Sequence, residues 1–62
     1  MKMDLFFAFR KYADEYGNTN YQRHGKATRD KQVAIKQAGS NGYVQKGTDV
    51  VVVVDDGKIL TV

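Results

Sequence analysis

The sequence predicts an α+β domain in which two helices precede a three-stranded antiparallel meander, in the order α-α-β-β-β. Three observations predict it. Five consecutive valines, Val50 to Val54, lie between two hairpin signals, Gly47-Thr48 and Asp56-Gly57. Near the start, Leu5, Phe9, Tyr12 and Tyr16 recur at helical spacing. A second segment from Thr28 to Ala38 is bounded by a capping residue and by Gly39.

The first helix is expected over residues 5–16. Asp4 suits its N-cap and Gly17 the position past its end. Phe6 and Ala13 flank the aromatic stripe, which would supply most of the helix's buried area. Residues 17–27, GNTNYQRHGKA, are polar and punctuated by glycine, and predict a loop. The second helix is expected from Thr28, as N-cap, to Ala38. Its inner face would be Ala34, Ile35 and Ala38, with the Lys31 stem alongside. Ser40-Asn41-Gly42 then turns into the first strand.

The meander follows from its turns. β-Branched valines suit a pleated, buried surface and are poor in helices. With Asp56-Gly57 as a two-residue loop, Val54 opposes Ile59, Val53 opposes Leu60 and Val52 opposes Thr61. With Gly47-Thr48 as the other loop, Gln45 opposes Val50, Val44 opposes Val51 and Tyr43 opposes Val52. Opposed residues share a face and faces alternate. Val44, Val51, Val53, Leu60 and Val62 would then form the core face beneath the helices. Tyr43, Val50, Val52, Val54 and Ile59, with Gln45 and Thr61, would form an open second face and an interface. In that three-stranded sheet residues 43–46 and 58–62 would both be edge strands.

The chain of 62 residues makes one small domain, 1–62, and its opening Met is expected of a complete small reading frame. A chain of this size buries only about 60% of its unfolded surface, so a partner or a second copy would help to stabilise it. It holds no cysteine, which excludes disulfides and cysteine-based metal sites, and a lone His24 argues against a zinc site. No metal and no cofactor is expected. The N-terminal apolar residues are broken by charges, so no signal peptide is read, and the valine run is too short for a membrane helix. The expected location is the cytoplasm.

Net charge is +3, unevenly spread. Residues 1–40 hold eight Lys/Arg against four Asp/Glu. The densest stretch carries Arg23, Lys26, Arg29, Lys31 and Lys36 against Asp30, with His24 among them. That asymmetry points to nucleic acid or an acidic protein surface, against the plainer reading of a solvated helix face.

No phosphate loop, metal-ligand cluster or Ser-His-Asp set is present. RNA cleavage through the 2′-hydroxyl needs only a proton acceptor, a proton donor and cations, and imidazole titrates near neutral pH. The run Tyr21-Gln22-Arg23-His24-Gly25-Lys26, a helix ending at Ala38-Gly39, and the close Asp56-Gly57-Lys58-Ile59-Leu60-Thr61-Val62 resemble the small endoribonuclease toxins of the barnase/colicin/RelE-like group. The resemblance covers roughly residues 21–62. It implies His24 and Thr61 at an RNA-cleaving site, with Lys26 or Arg29 on phosphate. The chain is shorter than that group and ends directly after Thr61-Val62.

The reading that requires fewest assumptions is a small non-catalytic interaction protein, of the kind phages and mobile elements encode to inhibit or redirect a host protein or nucleoprotein complex. It would bind through the open sheet face and the basic segment 23–36, and a homodimer is a variant of it. The alternative is an RNA-binding protein or metal-independent endoribonuclease toxin using His24 and Thr61. A third is a DNA binder using either a β-ribbon or the second helix, whose outer surface would carry Arg29, Lys31, Gln32, Lys36 and Gln37.

Overall fold

A computed structural model describes residues 5–62. It corrects the expected architecture: five antiparallel strands form one sheet, and a single short helix packs on one face of it. In chain order these are β1 (Phe6–Ala13), β2 (Thr19–Arg23), α1 (Lys31–Ala38), β3 (Gly42–Lys46), β4 (Asp49–Asp55) and β5 (Lys58–Thr61). The sheet order is β2-β1-β3-β4-β5.

The expected first helix is a strand, β1. Its sequence FFAFRKYA satisfies a period of two as well as the helical spacing, and its aromatic residues favour strands. Phe6, Ala8, Arg10 and Tyr12 share one face, and Phe7, Phe9, Lys11 and Ala13 the other. Asp4, expected as an N-cap, lies outside the described residues. Gly17 does not end a helix. It takes φ 84° in the β1–β2 turn, where L side chains are strained. Asp14 holds that turn by accepting from the Tyr16 and Asn18 N–H groups at 2.9 and 2.8 Å.

Much of the expected loop 17–27 is strand β2, in which every residue is exposed to solvent. It pairs with β1 from Phe9↔Arg23 to Ala13↔Thr19. The chain then bulges through Gly25 and rejoins β1, where Phe6 and Thr28 exchange backbone hydrogen bonds at 2.7 and 3.0 Å.

Helix α1 ends at Ala38, where the sequence places its end. Its N-cap is Asp30 rather than Thr28: the Asp30 carboxylate accepts from the Gln32 N–H at 2.9 Å. Thr28 Oγ1 instead accepts from the Asp30 N–H at 3.1 Å. At the other end Arg10 Nε donates to the Gln37 carbonyl at 2.7 Å, satisfying one of the helix's terminal acceptors with a cation. Eight residues are too few for a stable isolated helix, so α1 depends on its contact with the sheet.

That contact is made by small residues. Ala34 and Ala38 meet Ala8, Val44, Val52 and Val54, and these six form the buried core. Phe6, Ile35 and Val51 pack at its margin. Gly42 is buried where β3 passes under the helix end, and a methyl group there would collide with the Phe9 carbonyl.

The β4–β5 hairpin has the expected register, Asp55↔Lys58 through Val52↔Thr61. Its turn carries positive φ at Asp56 and Gly57, the geometry that twists with the strands. At the other hairpin Lys46↔Asp49 and Gln45↔Val50 also pair as expected, but the register then shifts, so that Val44 opposes Val52 and Tyr43 opposes Val53. Val51 is the extra residue of a β-bulge. One inserted residue exchanges the faces of everything beyond it. Val52 and Val54 therefore lie beneath the helix, and Val53 and Leu60 lie on the open face. Strand β3, expected at an edge, is central between β1 and β4.

Among the described residues no helix is long and apolar enough to cross a membrane.

The bulge sets opposite fates for neighbouring valines. Val52 is 1% exposed, and an unpaired lysine there costs more than about 4 kcal/mol. A chain of 62 residues holds about 3–9 kcal/mol in all. Val52→Lys should therefore lose at least about half of that stability or unfold outright, while Val53→Lys should stay folded at a cost of about 1 kcal/mol. Urea denaturation followed by circular dichroism distinguishes them, and a folded Val52→Lys with an unfolded Val53→Lys would restore the bulge-free register.

Candidate functional site

The helix covers β1, β3 and part of β4 on one side. The opposite face of the sheet has no covering element among the described residues. Register alone organises this face into a central row of side chains. Arg23 on β2 pairs with Phe9 on β1, Phe9 with Tyr43 on β3, Tyr43 with Val53 on β4, and Val53 with Leu60 on β5. To one side of this row lie Phe7 and Gln45, which oppose each other. To the other lie Tyr21 and Lys11, also opposed, and the pair Asp55–Lys58.

Three aromatic rings in this face touch. Phe9 and Tyr43 stack with centroids 4.8 Å apart and planes 15° apart. Tyr21 leans across β1 and meets Tyr43 at 5.1 Å with planes tilted by 56°. Because Phe9 and Tyr43 cover one another, Tyr21 is the ring with the most free surface, at 51% exposure. The Arg23 guanidinium carbon lies over the Phe7 ring, 4.5 Å from its centroid, a cation–π contact that keeps the charge close to the sheet. Lys11 is exposed beside Tyr21. Neither β1 nor β2 contains an Asp or Glu, so the charges these strands place on the face, Lys11 and Arg23, are both positive; Asp14 and Glu15 lie in the turn that joins them. Asp55 is placed at the far end.

The residues singled out by sequence are dispersed. Tyr43 and Val50 stand on the open face, as expected. Val52 and Val54 are buried in the core, and Ile59, opposite Val54, points to the helix side of the sheet. Of the basic segment, Arg23 alone reaches the open face. Lys26 and Arg29 lie in the loop before α1, and Lys31 and Lys36 belong to α1 on the other side of the sheet.

His24 and Thr61 are not brought together. His24 extends β2, its N–H bonded to the Ala8 carbonyl at 2.9 Å. Thr61 is in β5 at the opposite edge. Four strand spacings separate them, about 19 Å, too far to act on one phosphate. The imidazole instead meets Tyr12, whose hydroxyl is 3.2 Å from Nδ1. Among the described residues no group of three or more His, Cys, Asp or Glu side chains is arranged to hold a metal ion.

Phe7, Phe9, Lys11 and Tyr21 belong to the site and are not among the site residues assigned from the sequence. Their signal is the period of two in Phe7-Phe9-Lys11 and in Tyr21-Arg23, hidden by the helical assignment of the first segment and the loop assignment of the second.

Comparison with protein-family models, with curated proteins and with solved structures finds no match to this chain. The site is therefore read from its chemistry.

An aromatic stack of this geometry contributes beyond its buried area, by about 0.5–1.5 kcal/mol. A double-mutant cycle with Phe9→Leu and Tyr43→Leu should return a coupling energy of that size in urea denaturation. Additive effects would show that the two rings do not stabilise each other.

Proposed function

We propose that the protein binds single-stranded nucleic acid on the open face of its sheet and does so without catalysis. The observation that carries this reading is the Phe9–Tyr43–Tyr21 ring cluster with Lys11 and Arg23 at its margin. Bases present flat π-faces, and exposed aromatic rings on a sheet take them by stacking whatever their sequence. Cations beside the rings meet the phosphates that connect the bases. A duplex hides its bases within the stack, so a flat aromatic surface gains little from it.

A protein partner on the same face is the competing reading. Two features favour nucleic acid over it. The charges that β1 and β2 themselves place on this face are positive, and one of them, Arg23, lies over the Phe7 ring beside the stack. The separation of His24 from Thr61 supports binding alone rather than RNA cleavage by that pair.

The test is fluorescence anisotropy with labelled oligo-U, oligo-dT and a duplex of equal length. Single strands should bind more tightly than the duplex, and affinity should fall steeply with added salt. Comparing oligo-U with oligo-dT separates RNA from DNA preference. Tyr21→Ala should weaken binding by about 1–3 kcal/mol while the circular dichroism spectrum is unchanged. Equal affinity for the duplex, or full binding by Tyr21→Ala, would remove the proposal.

A further inference from the structure

The two edges of the sheet differ in kind. At β2 the hydrogen bond from the His24 N–H to the Ala8 carbonyl sets the alternation, so Thr19, Tyr21 and Arg23 turn their backbone groups outward. The side chains there are polar or charged, and the Arg23 cation sits on the edge itself. Such an edge resists the addition of another strand. At β5 the Val62 N–H donates to the Val51 carbonyl at 3.1 Å. Lys58, Leu60 and Val62 therefore direct their backbone groups toward β4, and Ile59 and Thr61 direct theirs to the free edge. Ile59, Leu60 and Val62 are 54%, 45% and 78% exposed. The edge is thus apolar on both faces of the sheet and has one charge, Lys58.

We infer that β5 is a self-association edge, and that two copies of the chain join there, antiparallel, about a two-fold axis at Leu60. The backbone pattern selects the register. With Leu60 opposite Leu60 of the second copy, Ile59 opposes Thr61 in both directions. Each such pair exchanges two backbone hydrogen bonds, and all the outward groups of Ile59 and Thr61 are used. A register centred on Ile59 would need Gly57 as a pairing residue. Gly57 is in the turn at φ 81°, and its N–H already donates to the Ser40 carbonyl at 2.9 Å.

The side chains agree with the Leu60 register. It places Lys58 opposite Val62 and keeps the two Lys58 cations at opposite ends of the joint. It also brings the two Leu60 side chains together at a non-hydrogen-bonded pair, where opposed residues are closest. A two-fold axis normal to the sheet keeps both open faces on the same side. The central row then continues from one copy into the next, through Tyr43, Val53 and Leu60 to the same residues in reverse order. The joint is isologous and closed, so it stops at a dimer. Its area is at the small end for stable interfaces, below about 1,200 Å², so association depends on concentration and draws on main-chain pairing. None of this rests on nucleic-acid binding, and the test below contains no nucleic acid.

The experiment combines sedimentation with cysteine crosslinking of the whole chain. The native protein should pass from 7.0 kDa to twice that mass as concentration rises. Thr61→Pro removes an N–H that faces outward and no bond to β4, and Leu60→Lys opposes two cations at the axis. Both variants should stay monomeric at the highest concentration, with an unchanged circular dichroism spectrum. The sequence contains no cysteine, so single thiols report position. Opposed Leu60→Cys residues have Cα atoms about 4.5 Å apart, inside the span of a disulfide. Ile59→Cys residues lie diagonally, about 7–8 Å apart, and should crosslink roughly tenfold more slowly. A native protein that stays monomeric throughout, a dimer that survives Thr61→Pro, or Ile59→Cys crosslinking as fast as Leu60→Cys would each overturn the inference.

Discussion

One inserted residue in β4 decides what each face of this protein is made of. Between Val50, opposite Gln45, and Val52, opposite Val44, the chain carries Val51 without a partner on β3. Had the strand run without the bulge, Val51 and Val53 would have met the helix, and Val52 and Val54 would have stood beside Tyr43. The bulge reverses that assignment and turns Val52 and Val54 onto Ala34 and Ala38. It also places Val53 and Leu60 in line with Tyr43 and Phe9. Core and open face are consequences of the same local event.

The two faces are built on different principles. On the covered side, alanines on helix and sheet allow the backbones to approach closely, and Gly42 permits the tightest contact. The buried area per residue is small, so the core stabilises through close packing rather than bulk. On the open side the large rings of Phe7, Phe9, Tyr21 and Tyr43 do the reverse, covering the sheet with their own surface. Ring contacts across β2, β1 and β3 tie the uncovered strand β2 to the two strands that the short helix covers most. A face of that kind adds stability while remaining exposed to a ligand.

Local signals made the second half of the chain legible. Gly47-Thr48 and Asp56-Gly57 specify their turns through backbone conformations that few other residues accept, and Gly39 ends the helix for the same reason. The first half was not legible, for two reasons. In FFAFRKYA the apolar residues are dense enough to satisfy periods of both two and 3.6, and only the tertiary partner decides between them. In TNYQR no apolar pattern exists, because an edge strand with both faces wet needs none. The bulge was hidden too: within a run of identical valines, nothing marks which one is extra. Tyr43 was found as a site residue because its turn-defined neighbours place it. Its ring partners lay on the two misread strands, and the site could not be assembled without them.

The remaining asymmetry is between the edges. The sheet has five strands, and the helix lies over its middle. Both outer strands must therefore meet solvent without cover, and an exposed row of backbone donors and acceptors invites pairing. At β2 the cationic Arg23 and the ring of Tyr21 guard the edge, and these are also the groups that face the proposed ligand. Protection of that edge and recognition thus use the same side chains. At β5 no comparable guard exists beyond Lys58, and the apolar row of the open face runs out to Leu60 at the rim. A row that begins at a cation and ends at an exposed leucine has one end suited to phosphate and the other to more apolar surface. The geometry of Leu60, with its backbone turned inward and its neighbours' backbone turned outward, is what lets a second copy supply that surface while leaving the rings uncovered.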